Sequence, residues 1–177
     1  MTTSELSRPI KLRPLPGETV SIDASEAERS ALAQRFALPA IEKLNAKIDL
    51  EQDGKAVRAT GTLHAQIIQS CAISGEEFAT TISEPLAMRF VEEGSIDPAL
   101  LEDEEIEIEL SADELDEIEY SGDSFDLGEA VAQSLGLAID PYAEGPNADA
   151  VRNSAGIGSD DEPSGPLAEA LKALKKD

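Results

Sequence analysis

Residues 91–150 contain no Lys and no Arg, yet they hold 20 Asp and Glu residues, so most of the formal net charge of -23 falls in about a third of the chain. The first 89 residues carry 10 basic and 12 acidic side chains, and the stretch from Arg152 onward carries 4 and 5. The absence of cations excludes a phosphate-binding surface in the middle segment, because affinity for nucleic acid comes largely from Lys and Arg displacing condensed counterions. Such a segment attracts basic proteins or cations instead.

Other scarcities narrow the reading further. Trp is absent and aromatics make up 3% of the chain, so Leu, Ile, Val and Ala must supply the buried area, at roughly 25 cal/mol per Å2. Cys71 is the single cysteine, which excludes an intrachain disulfide and fits a reducing compartment. With one histidine besides, the chain falls short of the four ligands of a structural zinc site, and no metal or other cofactor is expected. No apolar run approaches the roughly 18 residues of a membrane span, and Met1-Thr2-Thr3-Ser4-Glu5 has neither a basic n-region nor an apolar h-region. A soluble, cytoplasmic protein is expected.

What is present is a chain of 177 residues, 41% hydrophobic, enough for one domain with a real core plus some poorly packed sequence. Residues 9–16 alternate in character and contain prolines suited to an edge strand. After Pro16-Gly17 a short strand is expected over residues 19–22, and then Asp23 or Ser25 can cap a helix that Leu38-Pro39 ends. Two alternating runs, residues 41–50 and 57–68, flank Asp53-Gly54, a strong hairpin signal. A third run, residues 78–90, places Ile82, Leu86, Met88 and Phe90 together. In the acidic block Glu105, Glu107 and Glu109 alternate with Ile106, Ile108 and Leu110, the pattern of a strand with carboxylates on one face. Residues 113–120 fit a short helix or a strand. Asp126 followed by Glu129 opens a second helix like a capping box, with Leu127, Val131, Leu135 and Ala138 at near-helical spacing, and Ile139-Asp140-Pro141 stops it.

These elements predict an α+β fold: a curved antiparallel sheet, a partial barrel, covered by helices over residues 24–36 and 127–138. The expected organisation is a domain over 1–142, a flexible linker over 143–165 rich in Gly, Pro, Asn, Ser and Asp, and an amphipathic segment over 166–177 with Leu167, Leu171 and Leu174 on one face.

Enzyme motifs are missing, and no catalytic residue is assigned. His64, the single histidine, sits in an alternating run as an ordinary strand residue. Glu76-Glu77 and Glu92-Glu93 are adjacent carboxylates of the kind that turns expose to solvent. The acidic block lacks the Asp-x-Asp-x-Asp-Gly spacing of an EF-hand.

The sharpest local feature is Cys71-Ala72-Ile73-Ser74-Gly75-Glu76-Glu77-Phe78, at the turn between two strand-like runs. It resembles the signature Cys-x-x-Cys-Leu-Glu-Pro-Phe of the YceD-like family, the large ribosomal RNA subunit accumulation proteins. Cys71, Glu76 and Phe78 match it, whereas Ser74, Gly75 and Glu77 depart from it. About 50 residues on, Phe125-Asp126-Leu127-Gly128 opens a helix that closes in Leu137-Ala138-Ile139-Asp140-Pro141-Tyr142, which is similar to the family's Ile-Asp-Leu-x-x-x-Val and Leu-x-Leu-Asp-Pro. The closing Leu-x-x-x-Leu-Lys-x-Leu-Lys-Lys resembles tails of alphaproteobacterial members. The family-motif positions are therefore Cys71, Glu76, Phe78, Asp126, Leu127, Asp140 and Pro141.

The resemblance implies a noncatalytic bacterial factor for the synthesis, processing or stability of 23S ribosomal RNA and for assembly of the large subunit. The partner expected from charge is a basic ribosomal protein or a large-subunit precursor, met by Glu105, Glu107, Glu109, Asp113, Glu114, Asp116 and Glu117, with RNA contacted indirectly and no DNA or membrane involved. If RNA is touched directly, the candidates are Arg8, Lys11, Arg13, Lys43, Lys47, Lys55 and Arg58. An acidic binding module unconnected with ribosomes is the alternative that composition allows equally; a hydrolase with an unrecognised carboxylate site has no nucleophile, metal cage or paired base to support it.

Overall fold

The computed structural model describes residues 4–94 and 116–156. Of the residues expected to meet a basic partner, Glu105, Glu107, Glu109, Asp113 and Glu114 lie outside the described residues, as does the 166–177 segment.

The element order is β1 (Pro9–Lys11), β2 (Val20–Asp23), α1 (Glu26–Arg35), β3 (Ala40–Asp53), β4 (Ala56–Ser70), β5 (Glu77–Glu92), β6 (Asp116–Tyr120), β7 (Ser124–Asp126), α2 (Leu127–Ala138) and α3 (Ala148–Ala155). One sheet has the order β2-β3-β4-β5-β6, and β1 pairs with β7 in a separate ribbon. The described residues fall into two compact units, one of residues 4–68 and 79–140, the other of residues 69–78 and 141–156.

The larger unit follows the alternation of its sequence. In β3, Leu44, Ala46 and Ile48 are buried, and in β4 Val57, Ala59, Leu63, Ala65 and Ile67 are buried, while His64 between them is exposed. The hairpin closes where Asp53 pairs with Ala56, leaving Gly54 and Lys55 as a two-residue loop. Gly54 takes φ +61, the left-handed value that puts glycine first in such loops. Ile82, Leu86, Met88 and Phe90 of β5 line the same core, as expected.

Between the two residues able to cap α1, the chain uses Ser25: its hydroxyl accepts from Glu28 N–H while its own N–H donates to Glu28 Oε2 at 2.7 Å, a full capping box. α1 packs against β3, where Arg29 donates to the Ile41 carbonyl and Ala24 N–H to the Leu44 carbonyl.

Three expectations need correction. The sheet is not wholly antiparallel: β6, the stretch that fitted helix or strand, is a strand running parallel to β5, with Met88 opposite Asp116 and Glu92 opposite Tyr120. Parallel neighbours cannot be joined by a tight turn, and residues 93–115 separate the two strands in sequence. The opening strand is only Pro9–Lys11, because Pro14 and Pro16 have no N–H to give to a ladder. Within residues 143–165, read from composition as a linker, the chain forms α3, ended by Gly156 in the left-handed conformation. Among the described residues no barrel closes, and no helix is long and apolar enough to cross a membrane.

Candidate functional site

Of the acidic candidates within the described residues, Glu117 is exposed on β6, as is Glu119, which was not among them, while Ile118 and Tyr120 turn inward, so the strand displays carboxylates on one side. Asp116 begins that strand. Glu117 is already engaged: Arg89 Nη1 donates to it at 2.7 Å and Arg89 Nε donates to Asp53 at 3.3 Å, tying the hairpin end to β6.

Asp126 is a hub. Its Oδ1 accepts from the N–H groups of Gly128 at 3.0 Å and Glu129 at 3.1 Å, which caps α2, and from Arg8 N–H at 2.7 Å. Its Oδ2 accepts from the Ser7 hydroxyl at 2.7 Å, and Leu127 N–H donates to the Arg8 carbonyl. The Phe125-Asp126-Leu127-Gly128 motif therefore does two jobs: it starts a helix and it pins the N-terminal strand alongside. Gly128 belongs to the same device, since a Cβ there would meet the Leu6 carbonyl oxygen and the Arg8 nitrogen. Leu127 and Leu6 are fully buried.

The capping-box expectation for α2 holds only by half. The Glu129 carboxylate does not reach back to Asp126; it accepts two hydrogen bonds from Arg35, at 2.8 and 3.0 Å, and one from the Ser4 hydroxyl. Arg8 forms a matching fork with Glu28, at 2.6 and 3.1 Å. Both carboxylates fall from 4.5 to about 2, each chiefly through hydrogen bonds from its arginine, which outweigh the opposing effect of burial.

Because these folded values lie below the unfolded ones, the two pairs contribute fully above about pH 4.5 and lose their contribution as pH falls toward 2. Solvent screening leaves about 1 kcal/mol per pair. In urea titrations the drop in stability between pH 5 and pH 2 is expected to shrink by about 2 kcal/mol in the double variant Glu28→Gln, Glu129→Gln. An unchanged acid limb would show that neither fork carries it.

The smaller unit is built around the Cys71 turn. Cys71 N–H donates to the Glu76 carbonyl at 2.8 Å, Gly75 N–H to the Cys71 carbonyl at 2.9 Å, and Gly75 takes φ +72. The returning chain closes over it: Ala72 N–H donates to the Ala143 carbonyl, and Asn147 donates to the Glu76 carboxylate at 2.8 Å. Gly145 lets that backbone approach, since a Cβ there would lie 3.0 Å from Phe78 Cδ1 and 3.4 Å from Cys71 Cβ. Cys71, Glu76 and Phe78 are thus one local assembly. Arg152 of α3 pairs with Glu144 and Asp149.

Cys71 is 3% exposed, and its Sγ accepts from the N–H groups of Ile73 at 3.4 Å and Ser74 at 3.3 Å. Hydrogen bonds from Ser74, first its side chain and then its backbone, with help from the Gly145 and Ile73 backbones, draw the thiol down to about 7. Ser74, where the family signature has its second cysteine, accepts Glu76 N–H at its hydroxyl and completes the turn without a second thiol. Among the described residues no three His, Cys, Asp or Glu side chains gather as a metal site would require. Asp140 follows the α2 C-cap Ile139, and Pro141 begins the chain's return to the Cys71 turn.

The basic residues do not form one patch. Arg8 is locked to Glu28, and Arg58 lies 3.8 Å from Asp53. Lys43 and Lys47 are exposed on β3, Lys11 is exposed on β1, and Arg13 and Lys55 line one groove. The Arg8–Glu28 and Arg35–Glu129 forks, invisible as sequence neighbours, were missed by pattern reading; the only available signal was Arg35 in a last helical turn.

A family model described as "Large ribosomal RNA subunit accumulation protein YceD" matches residues 59–175, which include all seven motif positions. No curated protein and no solved structure matches the chain.

Proposed function

We propose that this chain, which belongs to the YceD family of large ribosomal RNA subunit accumulation proteins, acts without catalysis in the cytoplasm by engaging a basic ribosomal protein on the large-subunit precursor. The observation that carries the reading is the charge distribution: 20 carboxylates and no cation over residues 91–150 in a member of that family. At a Debye length of about 8 Å such a density steers basic surfaces inward and disfavours bare RNA. RNA is then reached mainly through the protein partner, which the acidic side chains cover until ribosomal RNA displaces them. Glu105, Glu107, Glu109, Asp113, Glu114, Asp116 and Glu117 are the proposed contact residues, with Glu117 sharing its charge with Arg89. The 166–177 segment, behind residues 143–165, is proposed as a further docking element.

The test is replacement of Glu105, Glu107 and Glu109 with Gln together. The triple variant is expected to fold as the parent does by circular dichroism and to bring down at least about tenfold less large-subunit precursor at physiological salt, with lower 23S RNA in cells. Raising the salt should erase the difference. Undiminished precursor recovery, or tight binding to protein-free 23S fragments, would overturn the reading.

A further inference from the structure

An open groove of about 620 Å3 lies in the larger unit between the β3–β4 hairpin tip, the residues after β1 and the loop from β6 to β7. Its walls are held by backbone. Gln52 Nε2 donates to the carbonyls of Gly54 and Ala56, each at 2.9 Å, which braces the tip that presents Lys55. Leu12 N–H donates to the Asp123 carbonyl at 3.0 Å, which sets Arg13 beside the opposite loop. Glu93 N–H donates to the Tyr120 carbonyl at 2.9 Å, fixing the floor.

Among the described residues Arg13, Lys55, Glu92 and Asp123 have no ion-pair or side-chain hydrogen-bond partner. Tyr120 is 9% exposed and packs its ring near Phe125, yet its hydroxyl has no hydrogen bond to the described residues. Tyr120 is one of the residues that line the groove. A tyrosine this buried usually finds a partner for its hydroxyl.

The mixture of charges selects the ligand. A bare phosphate would gain Arg13 and Lys55 but face two carboxylates. A ligand with an anionic end and several hydroxyl or amino donors satisfies both sets, and the volume lies in the range of sites for ligands well above single amino acids in size. We infer that this groove binds one ribonucleotide unit, with its phosphate at Arg13 and Lys55, its hydroxyl and amino donors at Glu92 and Asp123, and the Tyr120 hydroxyl at its floor. Such a unit comes either from a free nucleotide or from an RNA chain; the chemistry is the same. The inference does not depend on the carboxylates proposed to meet a basic partner, Glu105, Glu107, Glu109, Asp113, Glu114, Asp116 and Glu117. A few charge-assisted bonds in an open groove give a dissociation constant on the order of 0.5 mM, compatible with weak overall affinity for bare RNA.

The test is an amide NMR titration of the full-length protein with the ribonucleoside 5′-monophosphates, inorganic phosphate, a zwitterionic dipeptide and a short single-stranded oligoribonucleotide. Nucleotides should shift the amides of Arg13, Gly54, Lys55 and Gly122. Replacing Arg13 and Lys55 together with Ala should weaken binding at least about tenfold. Tyr120→Phe, which removes a hydroxyl with no hydrogen bond to the described residues, should weaken it several-fold while leaving thermal stability unchanged. Tighter binding of the oligoribonucleotide than of the mononucleotide supports an RNA chain as the source, and equal binding supports a free nucleotide. The inference is overturned if groove amides do not move, if the variants bind as the parent does, or if inorganic phosphate or the dipeptide binds as well as the nucleotides.

Discussion

Replacing Asp126 with Ala is expected to cost about 3 kcal/mol of stability, well beyond the roughly 1 kcal/mol of an ordinary helix cap. The excess comes from the N-terminal strand. The same carboxylate that caps α2 also accepts Arg8 N–H and the Ser7 hydroxyl, so its loss leaves partly buried donors on two segments at once. Urea denaturation measures the loss, and hydrogen exchange locates it: amides of residues 6–8 should exchange much faster. Asp126→Asn keeps one acceptor oxygen and should cost nearer 1 kcal/mol. If the Ala variant loses only a cap's worth of stability and residues 6–8 stay protected, the motif is a helix start and nothing more.

An effect of similar size is expected from Gly61→Ala. A Cβ at this position would fall on the Lys47 carbonyl oxygen and lie 2.9 Å from Ile48 Cα, and both belong to the backbone of β3. β3 cannot step aside, because β2 is hydrogen-bonded along its other edge at residues 45–48. Forcing the strands apart should cost about 3 kcal/mol or prevent folding. Gly17→Ala serves as the control, since nothing lies within 4 Å of a Cβ there, and it should change stability by less than about 0.5 kcal/mol. Equal effects of the two substitutions on the denaturation midpoint would refute the close approach.

Gly61 also marks how far pattern reading reaches. Alternation placed Val57, Ala59, Gly61 and Leu63 on one face, and that face is the core side of β4, but nothing local said that the glycine admits a neighbouring backbone. The same division runs through the candidate sites. Cys71, Glu76 and Phe78 stood out as a turn, while their closure by Asn147 and Gly145 joins residues about 70 positions apart. Arg13 and Lys55 were named only as members of a basic set; that they share a groove with Tyr120 and Asp123 depends on β1 pairing with β7.

The amino-acid sequence by itself determined the local choices: the Asp126 cap, a first cap narrowed to Asp23 or Ser25, the Gly54 turn, the core faces of β3, β4 and β5, and the separation of negative charge from the rest of the chain. Those follow from backbone dihedrals, side-chain period and formal charge, which act over a few residues. Tertiary structure alone decided that β6 lies parallel to β5, that β1 meets β7, that residues 148–155 form a helix, and which carboxylates Arg8 and Arg35 hold. A periodic pattern states which face of an element seeks the core but carries no record of which distant element will cover it, so partners and strand direction are settled when the faces are buried together.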